Sequence, residues 1–272
     1  MKKTLILGAA LLLLIPALTA FGGQRKVLKV GVQMFGKVFD PAAKYNNRTA
    51  QYHINLHDGL VRLSTMEVPH KVLPALATSW KEISPTVTEF KLRQGAKFWD
   101  GTYITAEDVK WSLERSINQD HPAYTSAFGR VLYNFEKVEI VNASTVRVHN
   151  RTPDPLKYVM LAQTTSAILS KKAFDAAASP EDFFTSPVGA GPYRIAEFKQ
   201  DSYVKFEPWD GYWGEKPPLE ELWYYGIKEP TSRITALVNG EVDFIVDIPP
   251  DMKSAMDGKK GIKSQGVTLD MF

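Results

Sequence analysis

The sequence of 272 residues contains no cysteine. This excludes disulfides, thiolate zinc sites and cysteine nucleophiles. It also excludes the lipid-attached cysteine of a bacterial lipoprotein. The sequence also has little excess of either charge, because 33 Lys and Arg residues are nearly balanced by 30 Asp and Glu residues. Binding to a nucleic acid requires clustered basic residues, and we find no such cluster, so no nucleic-acid partner is predicted.

Catalytic motifs are also missing. The sequence has no G-x-S-x-G elbow, phosphate-binding loop, H-E-x-x-H or complete G-x-G-x-x-G. The stretch GAGPYR at 189–194 has Arg194 where a third glycine belongs, which favours a tight backbone corner. His53 and His57 are four residues apart and could share a helix face, but a third metal ligand is absent. We therefore predict no enzyme, no metal and no cofactor.

Four carboxylates in the stretch 92–115 raise the question of acid/base chemistry: Asp100, Glu107, Asp108 and Glu114. A glycosidase pair has to face across a sugar at about 5–9.5 Å. Adjacent Glu107 and Asp108 on a helix point about 100° apart. Thr105 with Asp108 instead fits a capping box at a helix start. These positions favour structural roles.

The other two carboxylates also have structural explanations. Asp100 precedes Gly101 in a D-G turn. Glu114 is four residues after Lys110, which favours an ion pair on a helix surface. We expect Glu114 and Arg115 to lie on a solvated face, outside the apolar stripe of this helix. A secreted hydrolase acting on glycosides stays the alternative from a different functional class.

Hydrophobic periodicity predicts a mixed α/β fold rich in hairpins. Hairpins are expected at 135–150 and 193–209, and a strand at 27–34. A helix is predicted to end near Gly59 with Ile54, Leu56 and Leu60 partly buried. Residues 71–80 are expected to form a short helical turn. A later helix should be capped at Thr231 or Ser232, stop at Gly240 and precede a buried strand, and 266–272 reads as a strand.

The N-terminal segment has the layout of a secretory signal peptide. Lys2 and Lys3 precede an apolar run from 5 to 18, and small residues follow near Gly22. This run is shorter than the roughly 20 residues of a spanning helix, and Pro16 interrupts it. We expect cleavage before Gly23 and export, without a lipid anchor because cysteine is absent. A retained membrane anchor is the less favoured alternative.

Three sequence blocks then resemble one protein family. LPALATSW, LRQGAKFWDG and TAEDVKWSLER resemble the L-A-x-S-W, L-R-x-G-x-x-F/W-x-D-G and [ST]-A-x-D-V-x-x-S-x-x-R pattern of extracellular solute-binding proteins of the dipeptide/oligopeptide class, family 5. PVGAGPYR with GYWG resembles a second family block, and ALVNGEVD a third. The resemblance covers about residues 27–272.

The resemblance implies the first lobe of a periplasmic-binding-protein-like α/β clamshell, with a mixed sheet and a hairpin-rich inserted subdomain. Residues 1–22 would be the signal peptide, 23–60 and 185–272 the core subdomain of that lobe, and 61–184 the insertion. Family members are about twice as long, so the second lobe is expected to be absent from this chain, which would be a fragment or a truncated protein. It should then bind ligand weakly or not at all on its own.

As a family member, the protein is expected to be a periplasmic, monomeric, non-enzymatic component of an ABC importer. It would deliver peptides or similar solutes to a membrane permease. The same fold could take a nickel chelate, an oligosaccharide or a heme-like molecule, and the first lobe does not separate these. By the same resemblance, first-lobe ligand contacts are expected at Gln33, Met34, Phe35, Gly36 and Tyr124. Ordinary loop or packing roles are the alternative for each.

Overall fold

A computed structural model describes residues 26–33, 36–43, 47–64, 67, 69–125, 132–256 and 261–263. Within these ranges the chain forms two compact units. The first contains 26–33, 196–207 and residues from 218 onwards, and the second contains 36–195 and 208–217. Residues 36–60 and 185–195 thus pack with the second unit. The predicted division into lobe subdomains stays a prediction.

The first unit is built on a five-stranded sheet with the order β11-β1-β10-β9-β8. Its strands are β1 (Val27–Val32), β8 (Tyr193–Lys199), β9 (Tyr203–Pro208), β10 (Glu221–Gly226) and β11 (Phe244–Ile245). β1 runs parallel to both β10 and β11, and β9 is antiparallel to β10. The predicted hairpin of β8 and β9 is confirmed, with Asp201 in its turn.

One helix of the first unit, Pro230–Val238, connects β10 to β11. It begins after Glu229 with a proline in its first turn, so the predicted cap at Thr231 or Ser232 is wrong. Proline fits there because the first helical N–H has no intrahelical acceptor. Gly240 follows the helix at φ 73°, as the predicted stop requires. The following strand is buried only at Ile245, since Phe244 is 51% exposed.

The second unit contains an antiparallel sheet with the order β4-β5-β7-β6 and a separate β2-β3 pair. The strands are β2 (Val61–Leu63), β3 (Val72–Pro74), β4 (Ala77–Ser84), β5 (Val87–Leu92), β6 (Phe135–Asn142) and β7 (Thr145–Asn150). The predicted hairpin of β6 and β7 is confirmed. The helical turn predicted at 71–80 is wrong, because β3 and the start of β4 occupy these residues.

In chain order, the helices are α1 (Asn47–Leu56), α2 (Ala106–Glu114), α3 (Lys157–Leu161), α4 (Lys171–Ala176), α5 (Pro180–Thr185) and α6 (Pro230–Val238). α1 ends three residues before Gly59. Leu56 and Leu60 are fully buried, whereas Ile54 is 56% exposed, so the prediction of partial burial is wrong for all three. In the described part of the chain, no helix has the length and apolar character needed to cross a membrane.

The core of the second unit lies between the buried face of its sheet and α2. Alternation along β5 places Thr88, Phe90 and Leu92 on that face. The apolar stripe of α2 contributes Val109 and Leu113, both fully buried. These residues join one cluster, which includes Phe98, Val138, Val146, Val148 and Ile168. This packing fixes the position of α2 and of Arg115, which directly follows it.

Candidate ligand-binding site

The capping box predicted for α2 is confirmed. Thr105 accepts the N–H of Asp108, and the Asp108 carboxylate accepts the N–H of Thr105 at 2.9 Å. Asp108 also accepts the N–H of Lys171 at the start of α4 at 3.0 Å, which ties the two helices together. Asp100 accepts the N–H of Thr102 within its turn. These carboxylates therefore have structural roles.

The pair of Lys110 and Glu114 is also confirmed, at 2.8 Å. Glu114 does more than predicted, because it accepts the N–H of Val138 in β6 at 2.9 Å. The expectation that Arg115 lies on a solvated face is wrong, since its side chain is 1% exposed. Its guanidinium lies over the Trp111 ring, 4.9 Å from the centroid. The apolar stripe of α2 did not indicate that Arg115, which lies outside the stripe, would be buried.

Arg115 is buried because it pairs with Asp40 in the loop 36–43. The two guanidinium nitrogens bind the two carboxylate oxygens at 2.5 and 2.8 Å, and Asp40 is completely buried. Asp40 Oδ1 also accepts the N–H of Ala42 at 2.9 Å. The N–H groups of Phe39 and Asp40 both donate to the Phe184 carbonyl. A bidentate buried pair of this kind fixes the loop rigidly.

Two buried histidines pack beneath the same loop. His57 donates from Nε2 to the Phe39 carbonyl at 2.9 Å. Burial lowers the pKa of His57 to about 4, and burial also lowers the pKa of His53 well below its usual value. Both rings are therefore neutral at pH 7. Among the residues that the structure describes, no three His, Asp or Glu side chains are grouped to hold a metal.

The glycine corner at 189–191 completes the support of His57. Gly191 donates its N–H to the Leu56 carbonyl at 3.0 Å, and its own carbonyl accepts the Trp99 indole N–H at 3.2 Å. A Cβ on Gly191 would lie 2.3 Å from the Leu56 carbonyl carbon, and one on Gly189 would lie 2.5 Å from His57 Nδ1. Only glycine allows this approach. The corner interpretation is confirmed.

Two of the predicted ligand contacts lie near this loop. Burial raises the pKa of Tyr52, and the backbone of Gly36 partly offsets that shift. Tyr124 is half-buried, and its neighbour Thr125 donates its hydroxyl to the Ala42 carbonyl. The structure thus attaches the segment of Tyr124 to the loop that Gly36 begins. Met34 and Phe35 lie outside the described residues.

Gln33 belongs to the first unit, where it directly follows β1 and is half-buried. The Val32 carbonyl accepts the N–H of Ile227 at 2.8 Å, and the Gly31 carbonyl accepts that of Val246 at 3.3 Å. The carboxyl ends of β10, β1 and β11 therefore meet at one edge. Ligands of open α/β sheets bind outside this edge. The position of Gln33 fits the predicted ligand contact, which stays a prediction.

The edge is organised by a residue that sequence reasoning missed. Arg233 of α6 is 1% exposed and donates from Nη1 to the carbonyls of Ile227 and Lys228, at 2.7 and 2.9 Å. Its Nη2 donates to the Asp247 carbonyl at 2.7 Å. One guanidinium thus holds the backbone after β10 and the backbone after β11. The sequence shows Arg233 only as a basic residue three positions after Pro230, which does not reveal its burial.

The fold defined by these units is that of the periplasmic binding proteins. DppA from Helicobacter pylori, solved with the peptide STSA, matches with a TM-score of 0.75 at 24% identity, over 85% of this chain and 48% of that one. AgaA from A. tumefacien R10, solved with agropinic acid, matches with a TM-score of 0.74 at 28% identity, over 85% and 45%. The predicted fold class is confirmed.

The family model described as "Bacterial extracellular solute-binding proteins, family 5 Middle" matches residues 71–270, and the chain belongs to this family. The dipeptide-binding protein of Escherichia coli K12 is 30% identical over 191 residues, 63% of this chain and 35% of the relative. The glutathione-binding protein GsiB of Salmonella typhi is 27% identical over 252 residues, 92% and 47%. The chain thus spans about half or less of these curated relatives.

Proposed function

We propose that this chain belongs to the periplasmic substrate-binding component of an ABC importer and captures peptides or similar small solutes. The observation that carries this proposal is the edge of the first unit, where the ends of three parallel strands surround Gln33. Family membership supports it, and so do the names of relatives that bind dipeptides and glutathione. Delivery to a membrane permease by a monomer forms part of the proposal.

The proposed binding mode uses backbone pairing. An extended peptide that pairs with protein main chain places few demands on its side chains, and this gives broad selectivity. The proposed contacts are Gln33, Met34, Phe35, Gly36 and Tyr124. The loop at Gly36 has a rigid base in Asp40 and Arg115, so little conformational freedom is lost when a ligand binds.

The test is an amide NMR titration of the full chain, purified from the periplasm, with trialanine. We expect a dissociation constant of about 1 mM, which corresponds to only about 4 kcal/mol, since this chain spans about half of its relatives. Shifts should centre on Gln33 and Gly36. Glutathione and agropinic acid serve as competitors. No shift at 10-fold this concentration, or shifts confined to surfaces remote from both residues, would contradict peptide capture here.

Export is tested separately by sequencing the purified protein from its N-terminus. A start at Gly23 in the periplasmic fraction supports the proposed cleavage, whereas an intact Met1 contradicts it. The proposal also includes no catalysis, because Asp100, Asp108 and Glu114 have structural partners. Turnover of any chromogenic glycoside by the pure protein would favour a secreted hydrolase.

A further inference from the structure

Asp247 and Gln33 both lie at the carboxyl edge of the sheet in the first unit. In the parallel pair of β1 and β11, Gly31 is opposite Ile245. Gln33 and Asp247 each lie two residues beyond this pair, past the ends of β1 and β11, and the Val246 N–H still donates to the Gly31 carbonyl. Asp247 is exposed at this position. Asp247 thus follows the strand next to that of Gln33, at the edge of the sheet where a ligand touching Gln33 would lie.

The backbone of Asp247 adopts a left-handed conformation, with φ 57°. Outside glycine this conformation is unfavourable and persists where the surroundings impose it. Asp201 has nearly the same φ, 58°, but lies in a hairpin turn that commonly needs such an angle. Asp247 is not in a hairpin. It follows β11, and the fully buried Arg233 holds its carbonyl.

Strained residues held by a buried side chain concentrate at ligand-binding sites. Three independent observations meet at Asp247, namely its place at the carboxyl edge of the sheet, the left-handed backbone and the hydrogen bond from Arg233. We propose that Asp247 is a ligand-contacting residue that gives this edge a preference for a cationic group on the ligand. The proposal rests on the proposed function, because it assigns a selectivity to the same edge.

The experiment uses the full chain and three tripeptides that differ only in central charge: Ala-Lys-Ala, Ala-Ala-Ala and Ala-Glu-Ala. Dissociation constants come from amide NMR titrations of wild type, Asp247→Asn and Asp201→Asn. Asparagine tolerates the left-handed backbone, so both variants keep their local conformation. Asp201→Asn removes the same charge from the same unit at the same φ, and it controls for net charge.

We expect Asp247→Asn to weaken Ala-Lys-Ala about fivefold, which is the upper range for one exposed ion pair. Ala-Glu-Ala should bind more tightly to this variant, and Ala-Ala-Ala should change less than about 1.5-fold. Asp201→Asn should change none of the three. An unchanged ratio of Ala-Lys-Ala to Ala-Glu-Ala in Asp247→Asn, or an equal change in Asp201→Asn, would overturn the assignment.

The outcomes for the two proposals are separate. If wild type binds Ala-Ala-Ala with shifts at Gln33 but the charge ratio ignores Asp247, peptide capture stands and the role of Asp247 fails. If wild type binds none of the three peptides, both proposals fail together.

Discussion

Each compact unit contains a fully buried arginine behind its candidate ligand contacts, and the two arginines are held differently. In the second unit, Arg115 forms a bidentate pair with the Asp40 carboxylate. In the first unit, Arg233 donates to the backbone carbonyls of Ile227, Lys228 and Asp247. Both side chains are 1% exposed. Both fix a loop at the edge of a proposed site.

The difference lies in what can be removed by mutation. The Asp40 carboxylate is a side chain 75 residues away from Arg115, so either partner can be deleted and the other left buried with its charge. The carbonyl partners of Arg233 are backbone atoms within 14 residues. They stay in place in every variant. The ion pair therefore carries the larger penalty when one partner is lost.

The largest expected effect is that of Asp40→Ala. This change leaves the Arg115 guanidinium buried without its carboxylate and should lower the free energy of unfolding by about 4 kcal/mol. Urea unfolding measures the loss, and hydrogen exchange should locate it in the second unit. Glu107→Ala, an exposed carboxylate on α2, is the matched control and should cost less than about 1 kcal/mol.

The double variant Asp40→Leu with Arg115→Met sharpens this result. Replacing a buried ion pair with apolar side chains is often close to neutral, so most of the lost stability should return. A loss below about 1 kcal/mol for Asp40→Ala would show that Arg115 reaches water in the variant, and would contradict the difference drawn between the two arginines.

Arg233→Met should have the second-largest effect. It removes charged hydrogen bonds to three carbonyls and should cost about 3 kcal/mol, since methionine fills much of the volume but donates nothing. Lys228→Met, at an exposed position of the same edge, is the control. We expect the Gln33 amide to shift in Arg233→Met and not in the control. An unshifted Gln33 amide would show that the hydrogen bonds of Arg233 do not affect the candidate site.

Local features of the fold were predictable from the sequence, because their causes are local. The capping box of Thr105 and Asp108 and the turn at Asp100 depend on residues three or fewer positions apart. The hairpins follow from alternating hydrophobicity between turn residues. The corner at Gly191 was predicted from glycine and proline, although its contact with Leu56 was not.

The errors share a non-local cause. Residues 71–80 form strands because β3 pairs with β2 and β4 pairs with β5, and these partners override the short apolar pattern. Arg115 is buried by a carboxylate distant in the sequence. The candidate site was predicted only by resemblance, because the placement of Gln33 and Asp247 at the ends of neighbouring strands depends on strand order, which periodicity does not contain.

A smaller effect separates two adjacent residues of the second unit by pH. Burial raises the pKa of Asp58 to about 6, partly offset by hydrogen bonds from Tyr212 and Trp213, so its ionisation destabilises the fold as pH rises from about 4 to 6. Burial lowers the pKa of His57 to about 4, so its protonation destabilises the fold as pH falls from 6.5 to 4. The contributions of Asp58 and His57 to the change of stability with pH therefore have opposite signs.

Asp58→Asn removes the pH dependence of stability that is due to Asp58 and leaves the one that is due to His57. Between pH 4 and 6 the variant should gain stability more steeply than wild type, by about 2 kcal/mol, from about 1.4 kcal/mol per unit of pKa shift discounted for partial exposure. Urea midpoints across this range give the measurement, with Asp201→Asn as the control for charge. If stability changes with pH in the same way in wild type and Asp58→Asn, Asp58 does not contribute to the pH dependence.

The smallest effect compares the two left-handed aspartates directly. Asp201→Gly should stabilise the chain by about 0.5 kcal/mol, because glycine relieves the left-handed backbone while giving the unfolded chain more freedom. Asp247→Gly should give a similar gain, because the same angle is imposed there by Arg233 rather than by a turn. Only Asp247→Gly should weaken Ala-Lys-Ala, since only Asp247 lies at the same edge of the sheet as Gln33. Thermal midpoints with the tripeptide titration decide this: if both changes stabilise equally and neither alters binding, the angle at Asp247 serves the backbone alone.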